Sequence, residues 1–141
     1  MAPKFSSPAE FREVMDRVFE MMSTDDRMGP QLRDADVPQQ FEFDDLDMVV
    51  NIRAAREGEE GNLVWEWTDD VDWEPKVKMK MSSETANKYF QGKENVAIAI
   101  ARRKIKTSGD VKAALAIMPI TKPVFDRYRD LVVSEYPHLT A

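Results

Sequence analysis

The sequence has no cysteine and a single histidine, His138, in 141 residues. The first absence removes disulfides, thiolate metal sites and cysteine nucleophiles, and makes an oxidising compartment unnecessary. The second leaves a hydrolytic triad with only one candidate base, four residues from a chain end where fraying is expected, so no catalytic residue is assigned. Long apolar runs are missing too. Stretches such as Val96 to Ala101 fall far below the roughly 18 residues that cross a bilayer, and Met1-Ala-Pro-Lys-Phe-Ser lacks the apolar core of a signal peptide. The expectation is therefore a cytoplasmic protein with no stable membrane insertion. There is no phosphate-cradling loop: Gly92-Lys93 has no glycine five residues upstream and is followed by Glu94. No metal site is expected, because the remaining candidate ligands are the carboxylate pairs Asp25-Asp26, Asp44-Asp45, Glu59-Glu60 and Asp69-Asp70, which read as solvated turn acids. No cofactor is expected either.

The net charge is −6 and the isoelectric point is near 4.9, which argues against nucleic acid as a partner. One basic cluster, Arg102 to Lys106, reads as a solvated rim. The length suits one domain with one core, over 1–141, and no interior linker divides it.

Ser7-Pro8-Ala9-Glu10 marks a helix start, with Ser7 as N-cap, proline in the first turn and Glu10 reaching back. Phe11, Val14, Met15, Val18, Phe19 and Met22 then share one helical face, read as a flank or lid. Asp25-Asp26 and Gly29-Pro30 are read as its stop, and the stretch to Gln40 as a long surface connection. From Phe41 the period becomes two. The phase shifts across Asp44-Asp45, which is read as a bulge or bend, after which Leu46, Met48, Val50, Ile52 and Ala54 share one strand face. Glu57 to Gly61 forms a turn into a strand carrying Leu63, Trp65 and Trp67. A further strand alternates Val77, Met79 and Met81 with Lys76, Lys78 and Lys80, giving an antiparallel sheet wet on one side.

Ser82 or Ser83 caps a short helix with Ala86, Tyr89 and Phe90 that ends at Gly92, and Asn95 opens a helix through Val96 to Ala101. Lys104 to Thr107 reads as a strand. Ser108-Gly109-Asp110 leads into a helix through Val111, Ala114, Leu115 and Met118, which Pro119 is expected to end. A last helix starts at Thr121-Lys122-Pro123 with Val124, Phe125, Tyr128, Leu131, Val132 and Tyr136 on one face, and stops at Pro137. The fold class is α+β.

Several of these pieces fall in a particular order: Phe90-Gln91-Gly92-Lys93, Asn95, Ile98 and Ile100, then Lys104-Ile105-Lys106 and Gly109-Asp110 before Ala113, Ala114 and Leu115. Over roughly Asp45 to Met118 this order and spacing resembles the sterol carrier protein family of lipid-binding domains. The resemblance implies a five-stranded, mostly antiparallel sheet covered by helices, with an apolar tunnel between the layers. On that division 1–40 is the N-terminal helix and connection, 41–118 the core and 119–141 the C-terminal helix. The chain departs from the family in carrying Arg103 where glycine is common, in ending His-Leu-Thr-Ala instead of the peroxisomal tripeptide of some relatives, and in its longer C-terminal helix.

Nine methionines and three tryptophans supply adaptable and large apolar surface. By pattern alone such stripes read as plain core; with the resemblance they read as the wall of a cavity. The expected lining is Trp65, Trp67, Met79, Met81, Phe90, Ile98, Ile105, Leu115, Met118 and Phe125, with Arg102, Arg103 or Lys104 near the mouth for an anionic headgroup. The function implied is non-catalytic binding or transfer of a long-chain apolar molecule such as a fatty acid, acyl thioester, sterol or isoprenoid. Rival readings are a protein-interaction or homodimerisation module with a filled core, an accessory domain to a lipid-pathway enzyme, and an enzyme using the acids between Asp44 and Asp47.

Overall fold

The computed structural model describes residues 4–141. Helix α1 (Pro8–Thr24) begins as the sequence predicts: the Ser7 hydroxyl accepts the Glu10 N–H at 3.1 Å, and Glu10 reaches back to accept the Ser6 N–H. Its apolar face is wholly buried, from Phe11 through Val18.

The stretch read as a surface connection instead folds into α2 (Met28–Ala35), with Met28, Gly29 and Leu32 buried. Asp25, taken as a stop, is also a cap: its carboxylate accepts the Arg27 and Met28 N–H groups at 2.9 and 2.8 Å. Pro30 sits in the first turn, where a helical N–H has no intrahelical partner to lose.

The sheet comprises β1 (Gln39–Phe43), β2 (Met48–Ala54), β3 (Leu63–Glu66), β4 (Val77–Met81) and β5 (Lys106–Gly109), in the spatial order β3-β2-β1-β4-β5. All neighbours are antiparallel except β1 and β4, which run parallel. The sheet is therefore mixed, not wholly antiparallel. The phase shift at Asp44-Asp45 is a chain reversal, with Phe43 paired to Met48 and Asp47 at φ 52°; a tight hairpin and a bulge produce the same change of alternation. On β4 the expected alternation holds: Val77, Met79 and Met81 are buried, and Lys78 and Lys80 are exposed. On the wet face Lys80 pairs with its register partner Glu42 at 3.1 Å.

Helices α3 (Ser83–Phe90) and α4 (Val96–Ala101) are capped by Ser82 and Asn95, and Gly92 takes the left-handed conformation, φ 75°, that ends α3. Strand β5 begins two residues later than predicted, because Lys104 and Ile105 are engaged at the exit of α4, where both N–H groups donate to the Ala99 carbonyl. Arg103 is left-handed there, φ 61°, a conformation that only glycine adopts without steric cost. Gly109 has φ 85°, and a Cβ on it would collide with the Lys76 carbonyl as β5 closes on β4.

Helix α5 (Val111–Thr121) opens on the Asp110 cap and continues through Pro119 instead of ending there. Pro119 lies on the exposed side of the helix with Leu115, where solvent can serve the carbonyl that proline leaves unpaired. Helix α6 (Pro123–Glu135) and a 3-10 turn (Pro137–Leu139) complete the chain. α1, the inner sheet face and α6 contribute to one apolar core.

Candidate functional site

Between the inner sheet face and the helices lies an apolar cavity of about 110 Å³. Every layer contributes to its wall: Met15, Phe19 and Met22 from α1, Leu32 from α2, Phe41, Phe43, Ile52, Met79 and Met81 from the sheet, Ala86, Tyr89 and Phe90 from α3, Val96 from α4, Ile105, and Ile117 and Met118 from α5. Five of these side chains are methionines. An unbranched, polarizable thioether side chain adapts to irregular shapes through its rotatable bonds, so this wall can be redrawn without moving the backbone.

Polar groups in the wall are few. Tyr89 and Thr121 meet at 3.0 Å. Because the Thr121 hydroxyl donates to the Met118 carbonyl at 2.8 Å, the phenol is the donor in this pair. Burial raises the Tyr89 pKa, offset in part by that hydrogen bond, and the phenol stays neutral. Gln39 and Arg53 complete the polar contribution.

Arg53 is fixed by the β2–β3 loop. Its guanidinium donates both terminal nitrogens to Glu59 at 2.7 and 2.8 Å and lies over the Trp73 ring, 5.0 Å from its centre. Glu59 also accepts the Arg56 N–H at 2.6 Å. The Arg53 hydrogen bonds, then the Arg56 N–H, hold the Glu59 carboxyl at about 2, down from 4.5. A carboxyl depressed by folding stabilises the fold above its unfolded pKa, and that contribution fades as pH falls through the folded value. The loop clasp should thus persist from neutral pH to about pH 3 and open near pH 2. A carbon-detected titration of Glu59 should show a midpoint near 2, and Glu59→Gln should remove the accompanying change in the Arg56 amide signal. A midpoint near 4.5 would mean that the clasp does not form.

Five of the ten residues expected as lining are in the wall: Met79, Met81, Phe90, Ile105 and Met118. The other five lie elsewhere. Trp65 and Trp67 both donate their indole N–H to the Asp16 carboxylate, at 3.0 and 2.6 Å, and pack on Phe19 and Phe11; they clamp α1 to the sheet and flank an open polar groove with Arg12 and Arg17. Ile98 and Leu115 face solvent, 48% and 37% exposed. Phe125 packs edge-on against Tyr89 from α6, behind the wall. Arg102, Arg103 and Lys104 are exposed and do not line the cavity. Met15, Phe19 and Met22, absent from the expected lining, were detectable as the i, i+4, i+7 stripe of α1, which is the same signal that marks it as a core face.

Asp44, Asp45 and Asp47 are exposed and lie outside the cavity. Asp45 accepts the Ser83 N–H and hydroxyl at 2.8 and 2.6 Å, an anchoring role at the start of α3. Among the described residues no cluster of His, Asp and Glu side chains is arranged to hold a metal ion, and no helix is long and apolar enough to cross a membrane.

Residues 32–122 match the sequence profile of the SCP-2 sterol transfer family. No curated protein matches the chain. Solved structures with a similar fold include the stereoselective inverting sec-alkylsulfatase Pisa1 from Pseudomonas sp., at TM-score 0.60 and 18% identity, over 75% of this chain. This chain corresponds to only 16% of the sulfatase. A UbiJ-SCP2 ubiquinone synthesis protein is similar at TM-score 0.60 and 6% identity, over 86% of this chain and 95% of that one. The sterol carrier protein domain 2 of Helicoverpa armigera is similar at TM-score 0.57 and 17% identity, over 88% and 96%. At these identities the likeness to each is one of fold.

Proposed function

The chain belongs to the SCP-2 sterol transfer family, and from that premise we propose that it binds and transfers a long-chain apolar molecule, such as a fatty acid, acyl thioester, sterol or isoprenoid, in the cavity between sheet and helices. The observation that carries this reading is the methionine-rich wall. A cavity of about 110 Å³ is below the roughly 300 Å³ at which small-molecule sites begin. Loading therefore proceeds by rotation of Met15, Met22, Met79, Met81 and Met118 away from the space they partly fill. Burying a chain of about 15 methylenes at about 0.8 kcal/mol each supplies a gross drive ample for that rearrangement and for ordering the ligand. Selectivity would be low, because methionine imposes little shape. The Tyr89 hydroxyl is the polar group best placed to orient one end of the guest.

Binding is proposed without chemistry. The ionisable side chains of the wall are already engaged, Arg53 by Glu59 and Tyr89 by Thr121. Native mass spectrometry of gently purified protein, followed by denaturation and lipid extraction, should find a stoichiometric apolar adduct that is lost on unfolding. A clean unliganded mass, with no thermal shift on adding fatty acids or acyl thioesters, would mean that the methionines fill the space permanently and would favour an interaction module.

A further inference from the structure

The sheet has two free edges, and they carry opposite charge. β3 closes one side and β5 the other. Residues 57–74, which run into and out of β3, hold eight acids and no base; residues 102–112, around β5, hold five bases and one acid. Charged edge strands ordinarily keep copies of a protein from pairing, because equal charges repel. Opposite charges on the two edges repel in like-to-like contact and attract head to tail.

The backbone permits that contact. β3 runs parallel to β1 through two antiparallel pairings, β4 runs parallel to β1, and β5 opposes β4. β3 and β5 therefore point in opposite directions, and a translated copy brings its β5 against β3 as an antiparallel pair. Along such a ladder, hydrogen-bonded and non-bonded residue pairs alternate. The Ala55 N–H donates to the Asn62 carbonyl at 2.9 Å, and the Asp110 N–H to the Lys76 carbonyl at 2.8 Å. Counted in steps of two from those bonds, Val64 and Glu66 bond to β2, and Lys106 and Ser108 bond to β4. Leu63 and Trp65 on β3, like Thr107 and Gly109 on β5, turn their N–H and C=O groups outward. Ser23 takes the Leu63 N–H at 3.0 Å. The outward groups of Trp65 and Thr107 have no partner among the described residues.

Setting Trp65 against Thr107 places Glu66 directly opposite Lys106, in a non-bonded pair, where side chains stand closest. Both project from the wet face: Glu66 follows Trp65, whose register partner Ile52 lines the cavity, and Lys106 lies opposite the exposed Lys80. Neither forms an ion pair among the described residues. Glu42 and Lys80 already make a cross-strand pair of this kind on the same face, at 3.1 Å. Beside Trp65 and Glu66 an open groove of about 830 Å³ separates β3 from the flank of α1, leaving the edge accessible.

We propose that a second copy of this chain docks on β3 through its β5, head to tail, with Trp65 opposite Thr107 and Glu66 paired to Lys106. The contact uses two different surfaces and does not close on itself, so it propagates as an open array. Two backbone hydrogen bonds and one exposed ion pair make it weak and reversible. None of the four residues lines the cavity, so this association and the carrier reading stand or fall separately.

Sedimentation velocity of the full chain from about 10 μM to about 1 mM tests it. The average sedimentation coefficient should climb with concentration without levelling at a dimer. Glu66→Lys, which sets two cations opposite each other, and Lys106→Glu, which sets two anions, should each weaken association about fivefold. An equimolar mixture of the two variants should associate like the parent, because each supplies the charge that the other lacks, and so should the chain carrying both changes. Thr107→Pro removes the outward donor but no bond of the β4–β5 ladder, and should abolish association while Tm holds. A chain that stays monomeric at about 1 mM, reversals that associate as well as the parent, a mixture no better than its components, or a mass that stops at the dimer would overturn the inference.

Discussion

Replacing Asn87 with alanine is expected to lower the unfolding free energy by about 3–4 kcal/mol and the Tm by about 10 °C. Asn87 is fully buried in α3. Its side-chain carbonyl accepts the Tyr128 hydroxyl at 2.6 Å and the Gln91 amide at 2.9 Å, while its own amide donates to the Leu139 carbonyl at 2.8 Å. Gln91, one turn on, donates to the same Leu139 carbonyl, accepts the Ala141 N–H, and offers its backbone carbonyl to Arg129. α3, α6 and the last residues of the chain are therefore joined through one buried polar knot. Burial holds the Tyr128 phenol well above its ordinary pKa, so it remains a neutral donor. Truncating Asn87 leaves that donor without an acceptor and opens a void that polar groups line, and each lost partner adds about 1–3 kcal/mol. Tyr128→Phe, which removes one donor and leaves Asn87 satisfied by Gln91, should cost about 1 kcal/mol. Urea unfolding of both variants checks this ordering; equal and small losses would show that water replaces the side chain at no penalty.

That knot also positions the site. Asn87 and Gln91 occupy one side of α3, whereas Ala86, Tyr89 and Phe90 project from the other side into the cavity wall. Asparagine is a poor helix-interior residue because its side chain competes for backbone groups. Its presence in so short a helix is a local cost offset by tertiary hydrogen bonds.

Local chemistry was the part of the fold legible in the sequence. Ser7 and Asn95 cap the helices they were expected to open, Ser82 is the one of the two candidate serines that caps α3, the Ser108-Gly109-Asp110 turn leads into α5 with Asp110 as its cap, and the alternation of β4 survives residue by residue. What stayed hidden depended on context. Asp25 both ends α1 and starts α2, and a motif with two uses reads as a stop when the second helix is short and carries Gly29-Pro30 near its start. The parallel pairing of β1 with β4 joins segments far apart in sequence, and alternation carries no information about strand direction. Strand alternation put Met79 and Met81 on the inner sheet face together with the two indoles, and the structure has the methionines in the cavity wall, whereas the indoles turn to Asp16, because a buried N–H needs an acceptor and that carboxylate supplies it outside the cavity. Periodicity identifies which residues share a face; it does not divide that face between packed core and open space.

Filling the space separates those two states. Ala86 is buried, 3% exposed, and lines the cavity from α3. Ala86→Phe places a ring where the guest is proposed to lie, without touching the caps or the polar knot. If the cavity is real, the ring occupies it, and the unliganded protein keeps its stability or gains up to about 1 kcal/mol, as other cavity-filling changes do. If the methionines already fill the core, the same ring overpacks it and costs about 1–3 kcal/mol. The sign of the stability change thus reports on the void before any ligand is tested. Binding should respond far more strongly: loss of the shared volume should weaken capture of a fluorescent fatty acid by more than about 100-fold, equivalent to about 2.8 kcal/mol. A variant that is stabilised yet still binds fatty acid at full strength would place the guest elsewhere on the molecule, and the open groove flanked by Trp65 and Trp67 would be the next surface to block.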